Sequence, residues 1–248
     1  MDNPFDALIF DAGDTLIYFD GKYADVYPQG DAEMLRSLQS SGFDPGGDAF
    51  LVEFRRRLRK FQEERNSEFL EYTTAYILRT LLDELGYNYI SDSALRLALD
   101  ARYTVTRAYW QVEPDALQTL KTLRKSGYRL GLISNAGDDA DVQSLIDKAG
   151  IRPYFDVITT SAAQGIRKPN PRIFHWVLDR MGVSASRSAM IGDTLGADIL
   201  GAHNANMYAI WITRRADTAA NRAHRDTILP DATISTLEEL PGLLRSLA

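Results

Sequence analysis

From Val112 onward, short apolar runs and helix-patterned stretches alternate without a break. Pro114-Asp115 opens a helix through Lys125 that Gly127 ends, and Tyr128 to Ile133 follows as a strand ending at Ser134-Asn135. A helix from about Asp139 to Ala149 leads to the strand Val157-Ile158-Thr159. Pro171 starts a helix through Met181, Ser188 to Ile191 is a short strand ending at Gly192-Asp193, and Ala197 to Asn204 is helical. Tyr208 to Ile212 is the next strand, and Leu237 to Leu247 is a closing helix. Far upstream, Ala7-Leu8-Ile9-Phe10 reads as one more buried strand. This rhythm implies an α/β fold: a doubly wound, mostly parallel, Rossmann-like sheet with helices on both faces and right-handed crossovers.

Between the first strand and that alternation the pattern changes. Phe50 to Tyr76 carries apolar residues at helical spacing, among them Leu51, Phe54, Leu58, Phe61, Phe69 and Tyr72, with charges between. Thr80 to Leu85 continues to a stop at Gly86, and Ser91-Asp92-Ser93 supplies N-caps for a stretch through Tyr109. No convincing strand is found there. Residues 1–17 and 113–248 are therefore expected to form an α/β core, and 18–112 an inserted helical domain. A chain of 248 residues, 45% of them apolar, can bury the interior of one or two domains.

Composition narrows the chemistry. A net charge of −6 does not favour a nucleic-acid partner. There is no run of 18 apolar residues and no charged-then-apolar leader, so a soluble, cytoplasmic protein with no membrane partner is expected. The absence of cysteine excludes disulfides, thiolate catalysis and Cys-bound zinc. Three scattered histidines (His175, His203, His224) argue against a His triad or zinc site. The run Arg55-Arg56-Arg57-Leu58-Arg59-Lys60, with Glu63 and Glu64 following, reads as a solvated helix face with i,i+4 pairing. Nothing in the sequence fixes the oligomeric state.

The residues that carry chemistry gather at strand ends, which share one edge in a parallel sheet. Asp11 follows the first strand, where it would act as a nucleophile or metal ligand. Asp193 and Asp198 lie a little over one helical turn apart, offering oxygen donors suited to Mg²⁺. The Ser134 hydroxyl, with backbone N–H groups in the following Asn135-Ala136-Gly137, would bind phosphate oxygens. Lys168 sits in Arg167-Lys168-Pro169-Asn170-Pro171, where a held ammonium can neutralise an anionic nucleophile and the transferred group together. Arg167 is the alternative cation.

The set F-D-A-G-D-T-L, L-I-S-N, R-K-P-N-P-R-I-F and I-G-D-T-L-G-A-D-I-L-G-A resembles the haloacid dehalogenase-like hydrolase superfamily, in its form with a helical cap inserted after the first motif. The resemblance implies that Asp11 attacks the phosphorus of a small phosphorylated metabolite and forms an aspartyl-phosphate. It implies that Ser134 binds a phosphoryl oxygen and that Lys168 braces Asp11 and the phosphate. Mg²⁺ would be held by the Asp11 carboxylate, the Gly13 carbonyl and Asp193, with Asp198 acting directly or through water. The cap would close over the site and choose the substrate. One position departs from the pattern. Phosphatases of this superfamily typically carry a second Asp, the proton donor, two residues after the nucleophile; here that residue is Gly13. Asp14, one place later, reads as a turn residue, with a proton donor relocated to Asp14 as the alternative. The departure keeps three alternatives in view: carbon–halogen cleavage, carbon–phosphorus cleavage, or a non-catalytic protein that binds phosphate ligands. Carbon–phosphorus cleavage needs a cap lysine for a Schiff base, and only Lys22 and Lys60 lie in that segment.

Overall fold

The computed structural model describes residues 3–248, with the side chains of 62–68, and so any pairing of Glu63 and Glu64, outside the description. In chain order the strands are β1 (Ala7–Phe10), β2 (Ile17–Phe19), β3 (Trp110–Val112), β4 (Arg129–Ser134), β5 (Val157–Thr160), β6 (Ser188–Gly192), β7 (Tyr208–Ile212) and β8 (Ala232–Ile234). Six form one all-parallel sheet in the order β5-β4-β1-β6-β7-β8, with β1 near its centre. Helices α1 (Tyr23–Ser40), α2 (Gly47–Glu68), α3 (Thr74–Glu84) and α4 (Asp92–Arg107) all lie between β2 and β3. The sheet is covered by α5 (Ala116–Lys125), α6 (Asp139–Lys148), α7 (Ser161–Gln164), α8 (Pro171–Met181), α9 (Leu200–Asn204), α10 (Ala219–His224) and α11 (Leu240–Ser246).

Burial on both faces explains why β1 reads as unbroken apolar sequence. Leu8 and Phe10 join Leu130, Leu132 and Ile191 in a layer packed on α5, α6 and α11. Ala7 and Ile9 join Ile133, Met190 and Ala209 in the opposite layer, against Phe174 and Val177 of α8 and Ala202 of α9. Local signals set the helix ends: Asn170 caps α8 by accepting the Arg172 N–H, Pro171 begins it, and Gly182 ends it at φ 61°. The helices between β2 and β3 bury an apolar cluster of their own, including Met34, Leu38, Phe54, Ile77, Leu82 and Leu99. No helix among the described residues is long and apolar enough to cross a membrane.

The structure differs from the sequence reading at the edges of the helical segment. β2 and β3 pair antiparallel, Ile17 with Val112 and Phe19 with Trp110, where no strand was expected. Three-residue strands are too short to show a period. The helical spacing through Phe69 and Tyr72 also misleads, because α2 ends at Glu68 and Phe69 turns left-handed at φ 54°. The chain there gives its backbone to the sheet domain. Arg167 N–H donates to Phe69 O at 3.0 Å, Glu71 N–H to Gly165 O at 3.0 Å, and Thr74 N–H to Gly137 O at 2.7 Å. Hydrogen bonds across 63 or more residues leave no trace in local periodicity.

Candidate active site

Each sheet strand next to the centre delivers one polar residue to the same edge. Asp11 leaves β1 with its N–H on Ile191 O at 2.9 Å, Ser134 ends β4, and Asp193 directly follows β6. The Lys168 ammonium converges on them from the loop before α8. It donates to Asp11 Oδ1 at 2.5 Å and to the Ile133 carbonyl at 2.8 Å, and lies 2.7 Å from Asp198 Oδ1. Lys168, not Arg167, therefore meets the Asp11 carboxylate. Asn135 fixes that loop: its amide donates to Lys168 O and accepts the Lys168 N–H, both at 2.9 Å. Its side chain is committed to positioning Lys168, a role the sequence reading did not assign to Asn135.

Asp198 reaches the site through a wide π-helical turn, Leu195–Ile199. Its carboxylate presses on the end of β6 so closely that a Cβ on Gly192 would stand 2.3 Å from Asp198 Cγ. Glycine is required there. Asp198 Oδ2 accepts the Thr194 N–H at 2.9 Å. Two residues the sequence did not single out hold Asp193 in place: Trp211 Nε1 and Asn221 Nδ2 each donate to the Asp193 carbonyl at 2.8 Å. Asn221 also accepts the Leu195 N–H at 2.8 Å, tying α10 to the same turn.

Asp11, Asp193 and Asp198 are all buried, and one oxygen from each lies within 4.8 Å of the others. Three carboxylates against one ammonium leave an excess of negative charge where water is scarce. Burial raises the Asp11 pKa to about 7, with Lys168 opposing and Asp198 reinforcing the rise. Burial, then repulsion from Asp198, Asp11 and Asp14, raises Asp193 to about 9. Burial works to discharge Lys168, but Asp11 and Asp198 outweigh it and keep its pKa above the ordinary value. An all-oxygen donor set with surplus negative charge suits a hard divalent cation. Gly13 lines the same cavity, and a Cβ there would meet the Trp110 ring at an ordinary 3.6 Å. Asp14 occupies a left-handed turn at φ 56°; burial raises its pKa and Arg215 opposes the rise.

The cavity over these groups measures about 590 Å³, and the helices between β2 and β3 build its far wall. Tyr27 of α1, Leu58 of α2, Thr74 of α3, and Arg102 and Tyr103 of α4 line it, with Asp141 of α6. The sequence reading named none of these as site residues, apart from Leu58 in the basic run. Of Tyr18, Phe19, Tyr23, Tyr109 and Trp110, Trp110 alone lines it; Phe19 stacks on Tyr23 at 4.4 Å, and Tyr18 lies under Arg215 at 3.7 Å. Neither Lys22 nor Lys60 is among the lining residues. Among the described residues the basic run is largely paired: Arg55 with Asp31, Arg56 with Glu53, Arg57 with Glu53 at i,i+4 spacing, and Arg57 also with Glu84.

Residues 5–206 match the family model of the haloacid dehalogenase-like hydrolases. A glyceraldehyde 3-phosphate phosphatase of Methanothermobacter thermautotrophicus is 36% identical over 184 residues, covering 66% of this chain and 80% of that protein. The Escherichia coli pyrimidine 5'-nucleotidase YjjG is 36% identical over 132 residues, 53% of this chain and 56% of that protein. Among solved structures, a 2-haloacid dehalogenase from Pseudomonas syringae pv. Tomato superposes with a TM-score of 0.70 at 28% identity, covering 98% of this chain and 100% of that one.

Proposed function

The chain belongs to the haloacid dehalogenase-like hydrolases, and we propose that it is a Mg²⁺-dependent phosphatase of a small phosphorylated metabolite, working through an aspartyl-phosphate on Asp11. The observation that carries this reading is Lys168, which bridges Asp11 and Asp198 inside a buried carboxylate triad. Relatives named as phosphatases support it.

In this reading Lys168 keeps Asp11 ionised against the effect of burial, so one carboxylate oxygen is available to attack phosphorus in line with the ester bond. The new bond is an acyl phosphate, the P–O ester bond breaks, and the alcohol oxygen departs with its electron pair. Ser134 Oγ and Lys168 Nζ hold the phosphoryl oxygens. Water then attacks the acyl phosphate, releasing inorganic phosphate and restoring the carboxylate. Asp11, the Gly13 carbonyl, Asp193 and Asp198 would hold Mg²⁺, whose charge offsets the repulsion between the nucleophile and the dianionic ester. Gly13 brings no proton to the leaving oxygen, so esters with acidic leaving groups are favoured. Residues 18–112 act as the cap that excludes water and selects substrate, over a core of 1–17 and 113–248. The enzyme works in the cytoplasm, a setting compatible with its lack of cysteine.

Release of p-nitrophenol from its phosphate ester, with Mg²⁺ and with excess chelator, tests the reading; turnover that ignores the chelator, or no turnover at all, rejects it. A second reading is favoured by the dehalogenase neighbour and by Gly13. Asp11 would attack the halogen-bearing carbon, halide would leave, and water would hydrolyse the resulting ester. Chloride release from 2-chloropropionate identifies that chemistry.

A further inference from the structure

The far wall of the cavity contains a cation that the mechanism does not use. Arg102 is only 5% exposed at its side chain, and its one hydrogen bond runs from Nε to Asp31 Oδ1 at 2.8 Å. Its two Nη groups donate to nothing among the described residues. The guanidinium is held flat by rings rather than by acceptors: Tyr103, Tyr27 and Phe54 stand 5.1, 5.3 and 5.8 Å from its centre. The Nη atoms are not among the buried side-chain nitrogens that lack a partner, and Arg102 lines two cavities, so these N–H groups are open to an acceptor supplied by a ligand.

The surrounding charges leave that cation in surplus. Asp31 is shared, since its other oxygen accepts from Arg55 Nε at 2.7 Å, so one anion faces two guanidinium groups. Of the other acids of the wall, Asp138 lies 2.7 Å from Arg96, and Asp141 stands 3.6 Å from Arg107 with no hydrogen bond to its Oδ1. A second cavity of about 360 Å³ shares Tyr27, Leu58 and Arg102 with the first, so the guanidinium stands in the wall between the two spaces. The main cavity is therefore lined by two sets of charged groups: Lys168 with the carboxylates at the sheet edge, and Arg102 on the helices.

We infer that Arg102 is the anchor for a second anionic group, and that the substrate is a phosphomonoester whose leaving-group end carries a carboxylate or another phosphate. The planar fork of Arg102 matches either anion bidentately, and the aromatic rings fix its plane. This rests on the phosphatase reading but is separable from it by direct binding.

Calorimetric titration of the wild-type protein with 3-phosphonopropionate, propane-1,3-bisphosphonate and propylphosphonate provides the test. The first two probes distinguish carboxylate from phosphate as the second anion, and the third lacks one. At least one of the probes with two anionic groups is expected to bind about tenfold tighter or more than propylphosphonate, the range of a charge-assisted hydrogen bond. Arg102→Gln should bring the three affinities together, and Arg102→Lys should restore part of the spread. The matching kinetic ratio is kcat/KM for 3-phosphoglycerate over glycerol 3-phosphate. Equal affinities for all three probes in the wild type overturn the inference, whatever the variants do. A parallel loss for all three in a folded Arg102→Gln protein also overturns it, because that is the mark of a structural residue. A preserved spread in binding with no ester hydrolysed would reject the phosphatase reading and leave the role of Arg102 standing.

Discussion

The parallel sheet and the helices inserted between β2 and β3 build opposite walls of one cavity by different means. In the sheet, topology does the positioning: adjacent strand ends bring Asp11, Ser134 and Asp193 together, and a single loop adds Lys168. In the helical segment, positioning comes from helix faces that pack on each other. α1 and α4 approach so closely at Gly30 that a Cβ there would stand 2.7 Å from the Arg102 carbonyl. The first arrangement is rigid and chemically specific, while the second can change side chain by side chain without disturbing the reacting atoms. The difference separates chemistry from selection.

The largest effect is expected at the sheet wall. Asp11→Asn removes the nucleophile and should lower p-nitrophenyl phosphate turnover by roughly 10⁴-fold or more. The same variant should bind 3-phosphonopropionate at least as well as the wild type, since it relieves charge crowding at the triad. Residual turnover within a factor of ten would place the nucleophile elsewhere.

Gly192→Ala asks whether the rigidity of that wall matters. The new methyl would overlap the Asp198 carboxylate and displace it from Lys168. Misplacing one catalytic group by about 1 Å costs on the order of 10²-fold. The loss should be partly recovered by raising Mg²⁺, because a displaced ligand weakens metal affinity. A variant with wild-type activity and metal dependence would show that the strand end tolerates movement.

Replacing residues 20–109 with Asn-Gly tests the helical wall as a whole. Phe19 and Trp110 are cross-strand partners, so a two-residue turn can close β2 and β3 into a hairpin. The helices bury their own cluster, separate from the two layers of the sheet, so the sheet should remain folded. Gly165 and Arg167 would lose their backbone partners Glu71 and Phe69, loosening the approach to Lys168. Aryl ester turnover should fall by roughly ten- to a hundredfold, and preference for a second anion should vanish. An insoluble product would show that the two regions fold as one unit.

These contrasts also explain what could be read from the sequence. β1 and β7 match their sequence-read bounds residue for residue, because a strand of a sheet covered on both faces is a continuous apolar run; β1 lies between Asp6 and Asp11, and Thr213 follows β7. Asp11, Lys168, Asp193 and Asp198 were legible because sheet topology turns sequence order into proximity. Arg102 was not named, yet a signal was present. Leu95, Ala98, Leu99, Arg102 and Thr106 all fall on the buried stripe of α4, and Asp31, Met34, Leu35 and Leu38 on that of α1. One charge of each sign on the apolar faces of two helices marks a buried pair. Nothing local could show that those faces meet, or that the loop from Phe69 leaves its helix to pair with the Lys168 loop.

The smallest expected effect lies at the seam between the regions, where Asp141 of α6 faces the arginines of α4. Its side chain is 13% exposed, and its Oδ1 accepts no hydrogen bond. Burial raises its pKa from 3.8 to about 7, with Arg107, Arg102 and Arg96 opposing and Asp138 adding to the rise. An acid raised in this way holds a proton in the folded state that the unfolded chain has already released. Its contribution to stability is therefore present at low pH and is lost as pH climbs from about 4 through about 7, after which it levels off. Asp141→Asn keeps the shape and removes the titration. The variant should match the wild type near pH 4 and exceed it by on the order of 1 kcal/mol or more at pH 8, seen as a difference in denaturation midpoint. Taking the difference between the two proteins at each pH, at fixed Mg²⁺, cancels the titration of Asp11 and Asp193, which both share. Parallel curves from pH 5 to pH 8 would mean that Asp141 is charged throughout and already paired with Arg107. The seam would then be a closed ion-pair surface, and the helical wall would be coupled to the sheet more tightly than separate clusters imply.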